Sequence, residues 1–275
     1  GRILNNRFEG KVILLTGAAA SNPDVQMGFA GETVWRFFRE GGSGATLTDI
    51  SDVTGQNSCE SIKASGFRCL YRHLDVTNES HWENVVSETL EEFGRLDFLV
   101  NIAGIIDPNS ISKIDPDLWQ KVIDITLKGV FLGTRTASKA IKDSGGGAIV
   151  NISSMGALSG SGTYGSAYSA SRSALLNFTK SSALHLAPSK IRVNAILPGW
   201  TRTPFTEYLY EDDLQRNYRI QRVPLGRWGE PSEIASGILF MLSDDASYVT
   251  GSSLVMDGGV TSGETTRPDN PLKNN

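Results

Sequence analysis

One pattern constrains this chain more than any other. Short apolar runs alternate with helix-period stretches along almost its whole length. The strand-like runs are Val12–Thr16, Ala45–Asp49, Arg68–Leu74, Leu96–Asn101, Ala148–Ile152, Ile191–Leu197 and Ser253–Met256. Several are near-continuous Val, Ile and Leu, as expected of strands buried on both faces of a parallel sheet. The helix-period stretches are Phe29–Glu40, Val53–Ser65, Glu79–Phe93, Asp117–Lys142, Ser166–Leu186 and Pro231–Leu242. The last opens with Pro in its first turn. Such alternation predicts an α/β fold with one doubly wound domain, since a division into two would cut the sheet.

Charge and composition narrow the function. Lys and Arg number 26 against 30 Asp and Glu, a net charge of −4. A nucleic-acid or anionic-membrane surface would need a basic excess. Cys59 and Cys69 cannot form a disulfide framework. His73, His81 and His185 have no ligand spacing, so no metal site is expected. The opening GRILNNRFEGK lacks the apolar core of a signal peptide. No apolar run approaches the ~18–20 residues that span a bilayer. A cytoplasmic protein acting on a small molecule is therefore expected. The folded body is assigned to residues 1–261. The last 14 residues, 262–275, are polar with two prolines and read as a tail.

The first strand ends in Thr16-Gly17, followed by a glycine-bearing loop and a helix. Such a turn lets backbone N–H groups approach a pyrophosphate at the positive end of a helix dipole. Gly17, Asn22 and Gly28 are the candidate contacts. The spacing is not G-x-G-x-x-G, because about five extra residues lengthen the loop. The second strand ends at Asp49, where an acid can accept both ribose hydroxyls of an adenosine. A 2′-phosphate would meet its negative charge, and no Lys or Arg lies between Val12 and Trp35. Both facts favour NAD(H) over NADP(H). Asp75 and Val76, after the third strand, are candidates for the adenine, although Asp-Val-Thr is equally a turn into the next helix. Small residues after the fourth strand, Ala103 and Gly104, would let a cofactor pass close to the backbone.

Beyond the fifth strand come Ser153-Ser154, a Gly/Ser loop, and Tyr164-Gly-Ser-Ala-Tyr168-Ser-Ala-Ser-Arg172. Tyr168 and Arg172 are i and i+4 on a helix and share a face. A fixed cation one turn from a phenol favours the phenolate, the form that can take a proton from an alcohol. Tyr168 packing a helix face beside a solvated Arg172 is the plain structural alternative.

These residues resemble a known family. From Lys11 to Gly259 the chain is similar to the short-chain dehydrogenases/reductases. The likeness is carried by Thr16-Gly17, Asp75-Val76, Asn101-Ile-Ala-Gly104, Asn151-Ile-Ser-Ser154, Tyr168-Ser-Ala-Ser, Arg192-Val-Asn-Ala, Pro198-Gly-Trp-Thr-Arg-Thr203 and Thr250-Gly…Asp257-Gly-Gly259, in order. The resemblance implies a Rossmann fold of seven parallel strands flanked by helices. It also implies a nicotinamide cofactor, interconversion of an alcohol and a ketone, and a homo-oligomer (dimer or tetramer). By position, Ser154 would hydrogen-bond the substrate oxygen and Tyr168 would exchange its proton. Arg172 and Thr126 would complete the catalytic group. Asn101, Ala103, Gly104, Pro198, Gly199 and Thr201 would flank the cofactor, with Tyr168 and Arg172 also touching it, and Thr203 would hold its carboxamide.

Four departures stand beside the likeness. Arg172 replaces the family's lysine, keeping the charge but not a releasable proton. Thr126 replaces an asparagine. Ser154 precedes Tyr168 by 14 residues where 13 is usual. The cofactor loop is longer. A substrate lid is expected over about 204–228, with Trp200, Phe205, Tyr208, Tyr210 and the Met155–Tyr164 loop as pocket walls, near Ile105 and Ile106. Of these, Tyr164, Trp200 and Phe205 are the candidate substrate contacts. An aromatic-lined pocket with few charges points to an apolar, cyclic or aromatic secondary alcohol or ketone. The competing reading is the same scaffold with redox activity weakened or lost, doing non-redox chemistry or binding a ligand.

Overall fold

All seven expected strands form in the computed structural model, which describes residues 6–24, 26–107, 109–160 and 165–263. They are β1 (Val12–Thr16), β2 (Gly44–Asp49), β3 (Cys69–His73), β4 (Phe98–Asn101), β5 (Gly147–Ile152), β6 (Ile191–Pro198) and β7 (Ser253–Met256). They join one sheet in the order β3-β2-β1-β4-β5-β6-β7, with every pairing parallel. The strand order reverses direction between β1 and β4. In such sheets a crevice opens there, beyond the carboxyl ends of the strands.

Burial on both faces explains the unbroken apolar runs. In β1, Ile13 and Leu15 join the core on one side, while Val12 and Leu14 join the core on the other. The first core packs α1 (Phe29–Arg39) and α9 (Pro231–Leu242) on the sheet, through Val34, Phe37, Ile238 and Leu239. The second packs α3 (Glu79–Phe93) and α5 (Gly129–Asp143), through Trp82, Val85, Ala137 and Ile141. Each such side chain contributes about 1.5–3 kcal/mol on burial. Helix starts follow their signals. Asn78 caps α3 by accepting from Ser80 and His81 amides. Glu230 and Glu233 form a reciprocal capping box at α9, with Pro231 in the first turn.

The stretch expected as one helix, Asp117–Lys142, differs. Helix α4 (Pro116–Ile123), capped by Asp115, runs into a π-helical turn at Asp124–Lys128 and then α5. A π-turn inserts an extra residue without breaking the helix, so the sequence period conceals it. The fourth strand begins at Phe98 instead of Leu96, whose amide turns to the Ser144 hydroxyl. Helices α2 (Asp52–Ala64) and α6 (Ser166–Leu186) sit as expected to within a residue. The expected lid segment holds two short helices, α7 (Glu207–Glu211) and α8 (Asp213–Ile220). Of the expected tail, Ser262 ends a short 3-10 turn, Val260–Ser262, its amide donating to Gly259 O, and residues 264–275 lie outside those described. Among the described residues no helix is long and apolar enough to cross a membrane. None group as a possible metal site.

Candidate active site

Four side chains converge at the C-terminal ends of β4 and β5. Ser154 follows β5 directly, and its Oγ accepts the Gly156 amide at 3.1 Å. A methyl group on Gly156 would lie 3.4 Å from Ser154 Oγ and 4.0 Å from Tyr168 Cε1, so both side chains face one small space. The Arg172 guanidinium carbon stands 5.0 Å from the Tyr168 ring centre. Arg172 is buried, and its Nη1 donates to the Ile152 carbonyl at 2.5 Å. Ser153 Oγ in turn donates to the Arg172 carbonyl at 2.8 Å, fixing α6 to the end of β5. A methyl group on Gly104 would meet Arg172 Nη2 at 2.4 Å and Thr126 Oγ1 at 3.5 Å. Glycine there makes room for the guanidinium beside the Thr126 hydroxyl.

Thr126 sits in the π-turn and is fully buried. Its hydroxyl and Arg172 Nε have no hydrogen-bond partner among the described residues. Buried polar atoms without partners are costly, and they mark where a ligand with hydroxyl or carbonyl groups would fit. Apolar side chains wall the space. Ile105, Ile106, Ile114, Leu118 and Trp119 pack against Val122, Ala167 and Tyr168. The sequence reading placed Ile105 and Ile106 near the pocket but missed Ile114, Leu118 and Trp119. The apolar stripe of α4 was their available signal. Tyr164 falls in residues 161–164, outside those described.

The cofactor-loop candidates lie at the ends of β1 and β2. Gly17 adopts a left-handed φ of +64°, and a methyl group there would press on the Ala103 backbone at 3.2 Å. Thr16 Oγ1 accepts the Ile102 and Ala103 amides at 2.9 and 3.1 Å, joining the β1 and β4 ends. Helix α1 begins at Gly28 with no side-chain cap. A methyl group on Gly28 would touch nothing within 4 Å. An uncapped helix start with open space before it suits a phosphate. The lengthened loop is built firmly. Ser21 is fully buried, Trp35 Nε1 donates to its carbonyl at 2.7 Å, and Ser58 Oγ donates to Ala19 O. Asn22 Oδ1 accepts the Asp24 amide, so this side chain shapes the loop itself.

Asp49 Oδ2 accepts the Ala19 amide at 3.1 Å, and Oδ1 accepts from Ile50 and Ser51 at 2.8 and 3.0 Å. These bonds orient the carboxylate and leave lone pairs for further donors. Asp75 Oδ1 accepts the Thr77 amide and hydroxyl. Partial burial opposes its charge, yet those bonds prevail and hold the carboxyl below its usual range. Val76 is buried, its side chain against Gly129 and its carbonyl accepting from Trp82 Nε1. The Asn101 side chain points elsewhere. Its Nδ2 donates to Asn151, whose Nδ2 donates to Thr179, a buried chain that ties β4 to β5 and α6.

Beyond β6, Pro198 and Gly199 pack against β7. Gly199 N donates to Met256 O, and a methyl group on Gly199 would strike Asp257 Cα at 2.5 Å. Thr201 is buried and pairs with Gly229 by an isolated bridge. Thr203 is buried, its Oγ1 3.1 Å from Thr206 Oγ1. Of the lid aromatics, Tyr210 serves packing. It meets Trp228 edge-on and lies under the guanidinium groups of Arg202 and Arg216. Phe205 and Tyr208 are largely exposed. Gln26, in the cofactor loop, donates to Glu207 on α7 at 2.8 Å, so loop and lid touch. The Arg202 guanidinium holds the Glu207 carboxyl below the usual range, with Gln26 assisting.

Comparison with known proteins places this geometry. A family model described as enoyl-(acyl carrier protein) reductase matches residues 26–261. A cyclopentanol dehydrogenase of Comamonas sp. (strain NCIMB 9872) is 38% identical over 255 residues, 93% of this chain and 98% of the relative. A 3-alpha-(or 20-beta)-hydroxysteroid dehydrogenase of Mycobacterium bovis is 38% identical over 261 residues, 94% of this chain and 93% of the relative. The crystal structure of a gluconate 5-dehydrogenase from Burkholderia cenocepacia J2315 in complex with NADP and tartrate is similar at TM-score 0.86. It is 25% identical and covers 94% of this chain and 98% of its own. A 3-oxoacyl-[acyl-carrier protein] reductase from Brucella melitensis with bound NAD is similar at TM-score 0.83. It is 27% identical and covers 94% of this chain and 93% of its own.

Proposed function

The chain belongs to the short-chain dehydrogenase/reductase family, and on that premise we propose that it interconverts a secondary alcohol and a ketone on a mainly apolar, cyclic small molecule, with NAD(H) as cofactor. The observation that carries the reading is the convergence of Ser154, Tyr168 and Arg172, with the guanidinium 5.0 Å from the phenol ring. The curated relatives act, by name, on cyclic alcohols and hydroxysteroids. The apolar wall beside Tyr168 agrees with such substrates.

The roles follow from the contacts. Ser154 Oγ already accepts from Gly156 N, so its own hydrogen is left to donate to the substrate oxygen. Tyr168 exchanges the carbinol proton. Arg172, locked by the Ile152 carbonyl, offsets the negative charge that the transfer leaves on the phenol oxygen. A bound nicotinamide would supply the hydride acceptor or donor. Arg172 Nε and Thr126 Oγ1, buried and without a partner among the described residues, would be available to the hydroxyls of its ribose. Gly17, Gly28, Asp49, Asp75, Val76, Ala103 and Gly104 would line the adenosine and pyrophosphate side, and Gly199, Thr201 and Thr203 the nicotinamide side. Asp49 is the residue that selects NAD(H), by repelling a 2′-phosphate.

The test is a titration with NADH and with NADPH, followed by assay of cyclic alcohols under the tighter cofactor. Tighter NADH binding, reversed or levelled in Asp49→Asn, is expected. NADPH preference in the unaltered protein would refute the role of Asp49.

A further inference from the structure

Three buried N–H-bearing nitrogens in or beside the segment expected as a lid have no acceptor among the described residues. Arg219, on α8, is fully buried. Its Nη1 donates to Gln215 O and Oε1 at 2.9 and 2.7 Å. Its Nε and Nη2 are buried and unpartnered. The third is Trp200 Nε1, also buried and unpartnered. The Arg219 guanidinium carbon lies 5.9 Å from the Trp200 ring centre, so the donors share one neighbourhood.

Four carboxylates near α8 have other partners. Asp213 pairs with Arg216, Glu207 with Arg202 and Glu233 with Arg227, while Asp212 accepts the first amides of α8. Among the described ion pairs none involves Arg219. Arginine cannot shed its charge as lysine can, so a buried guanidinium without a counter-charge is costly. Nε and Nη2 form one edge of the planar fork. Their parallel N–H bonds match the two oxygens of a carboxylate.

The position adds the ligand's identity. Trp200 follows Pro198-Gly199 at the carboxyl end of β6. Ser154 lies at the same end of β5, and the two strands are paired neighbours, with Ile152 opposite Ile196. Trp200, with the donor edge beside it, thus follows the same end of the sheet as Ser154. We propose that Arg219 and Trp200 form a seat for a carboxylate carried by the substrate. The preferred substrate is then a cyclic hydroxy acid, with its carboxylate at the lid and its carbinol at Tyr168. This inference rests on the dehydrogenase reading above.

The test compares 4-hydroxycyclohexanecarboxylate, its methyl ester and cyclohexanol as substrates. The wild-type protein is expected to favour the acid over the ester by about 10- to 100-fold in kcat/KM, as loss of a charge-assisted hydrogen bond would give. Arg219→Met should abolish that ratio mainly through KM, because the seat binds ground state and transition state alike. Trp200→Phe keeps the ring, drops one donor and should reduce the ratio in part. This second variant covers the case in which Arg219→Met fails to fold. Cyclohexanecarboxylate, which has no alcohol to oxidise, should bind the wild-type protein and lose affinity in both variants. Equal kcat/KM for acid and ester, with no cyclohexanecarboxylate binding, overturns the proposal while leaving the dehydrogenase standing. Binding of cyclohexanecarboxylate that depends on Arg219, without oxidation of any of the alcohols, supports the seat and overturns the dehydrogenase reading instead.

Discussion

Gly165 precedes the first turn of the Tyr168 helix with an ordinary φ of −65°, so its backbone does not require glycine. Space does. A methyl group there would sit 1.7 Å from Asp107 Oδ1, 1.9 Å from Cγ and 2.0 Å from Oδ2. Ordinary contact begins near 3.4 Å, so the helix start and the carboxylate must separate by roughly 1.5 Å. Neither side can yield freely. Asp107 is fully buried, and its Oδ1 accepts the Asn109 amide. Gly165 N donates to Asp107 O at 2.7 Å. Overpacking of this kind costs about 1–3 kcal/mol. For a chain of this size that lowers Tm by roughly 2–4 °C per kcal/mol. Tyr168 lies three residues further on, and a shift of about 1 Å in a catalytic group costs on the order of 100-fold in rate. Gly165→Ala is therefore expected to remain folded, to melt lower, and to lose about 100-fold in kcat/KM. Adding Asp107→Ala removes the obstructing carboxylate and should restore part of the lost activity, a non-additivity that a double-mutant cycle reads directly. Wild-type activity in Gly165→Ala, or a double variant worse than either single one, would refute the steric argument.

Three further outcomes are expected. Arg172→Lys keeps the cation and should preserve or raise activity. Arg172→Met strands the Ile152 carbonyl and should cost about 1–3 kcal/mol of stability by denaturant titration as well as most turnover. A fully active Arg172→Met would remove the arginine from the mechanism. Glu233 is held at about 2 by Arg227 and by the Glu230 amide, below its ordinary 4.5. A depressed carboxyl adds stability that is complete above pH 4.5 and fades as pH falls through about 2. Because the ion pair is half exposed, its worth is at most about 1 kcal/mol. Glu233→Gln should therefore melt with a shallower fall in Tm between those pH values, and an unchanged acid slope would contradict the assignment.

Much of the fold was legible because burial on both faces leaves unbroken apolar runs. The ends of β1 and β7, and of α3, α6 and α9, coincide with the runs read from sequence. The π-turn was not legible, since one extra residue in a continuing helix leaves the period nearly intact. It matters because it carries Thr126. The candidate catalytic residues could be named from spacing and family likeness, but their convergence depends on glycines whose partners are distant in sequence. Gly104 meets Arg172, and Gly165 meets Asp107. The firmness of the lengthened loop rests on Trp35 and Ser58, which no local pattern singles out. The Asn101 side chain donates to Asn151, a tertiary bond between paired strands that no local pattern signals. No local pattern singles out Arg219, and only tertiary packing reveals that it is buried with no ion pair among the described residues.

The central claim is that Tyr168 moves the proton of an alcohol oxidised under NAD⁺. The most direct measurement is NADH formation from cyclopentanol by the wild-type protein and by Tyr168→Phe, with NADH binding measured for both. The account predicts turnover by the wild-type protein and a loss of about 10²- to 10⁴-fold in the variant, with cofactor affinity retained. Equal turnover by the two proteins would contradict it.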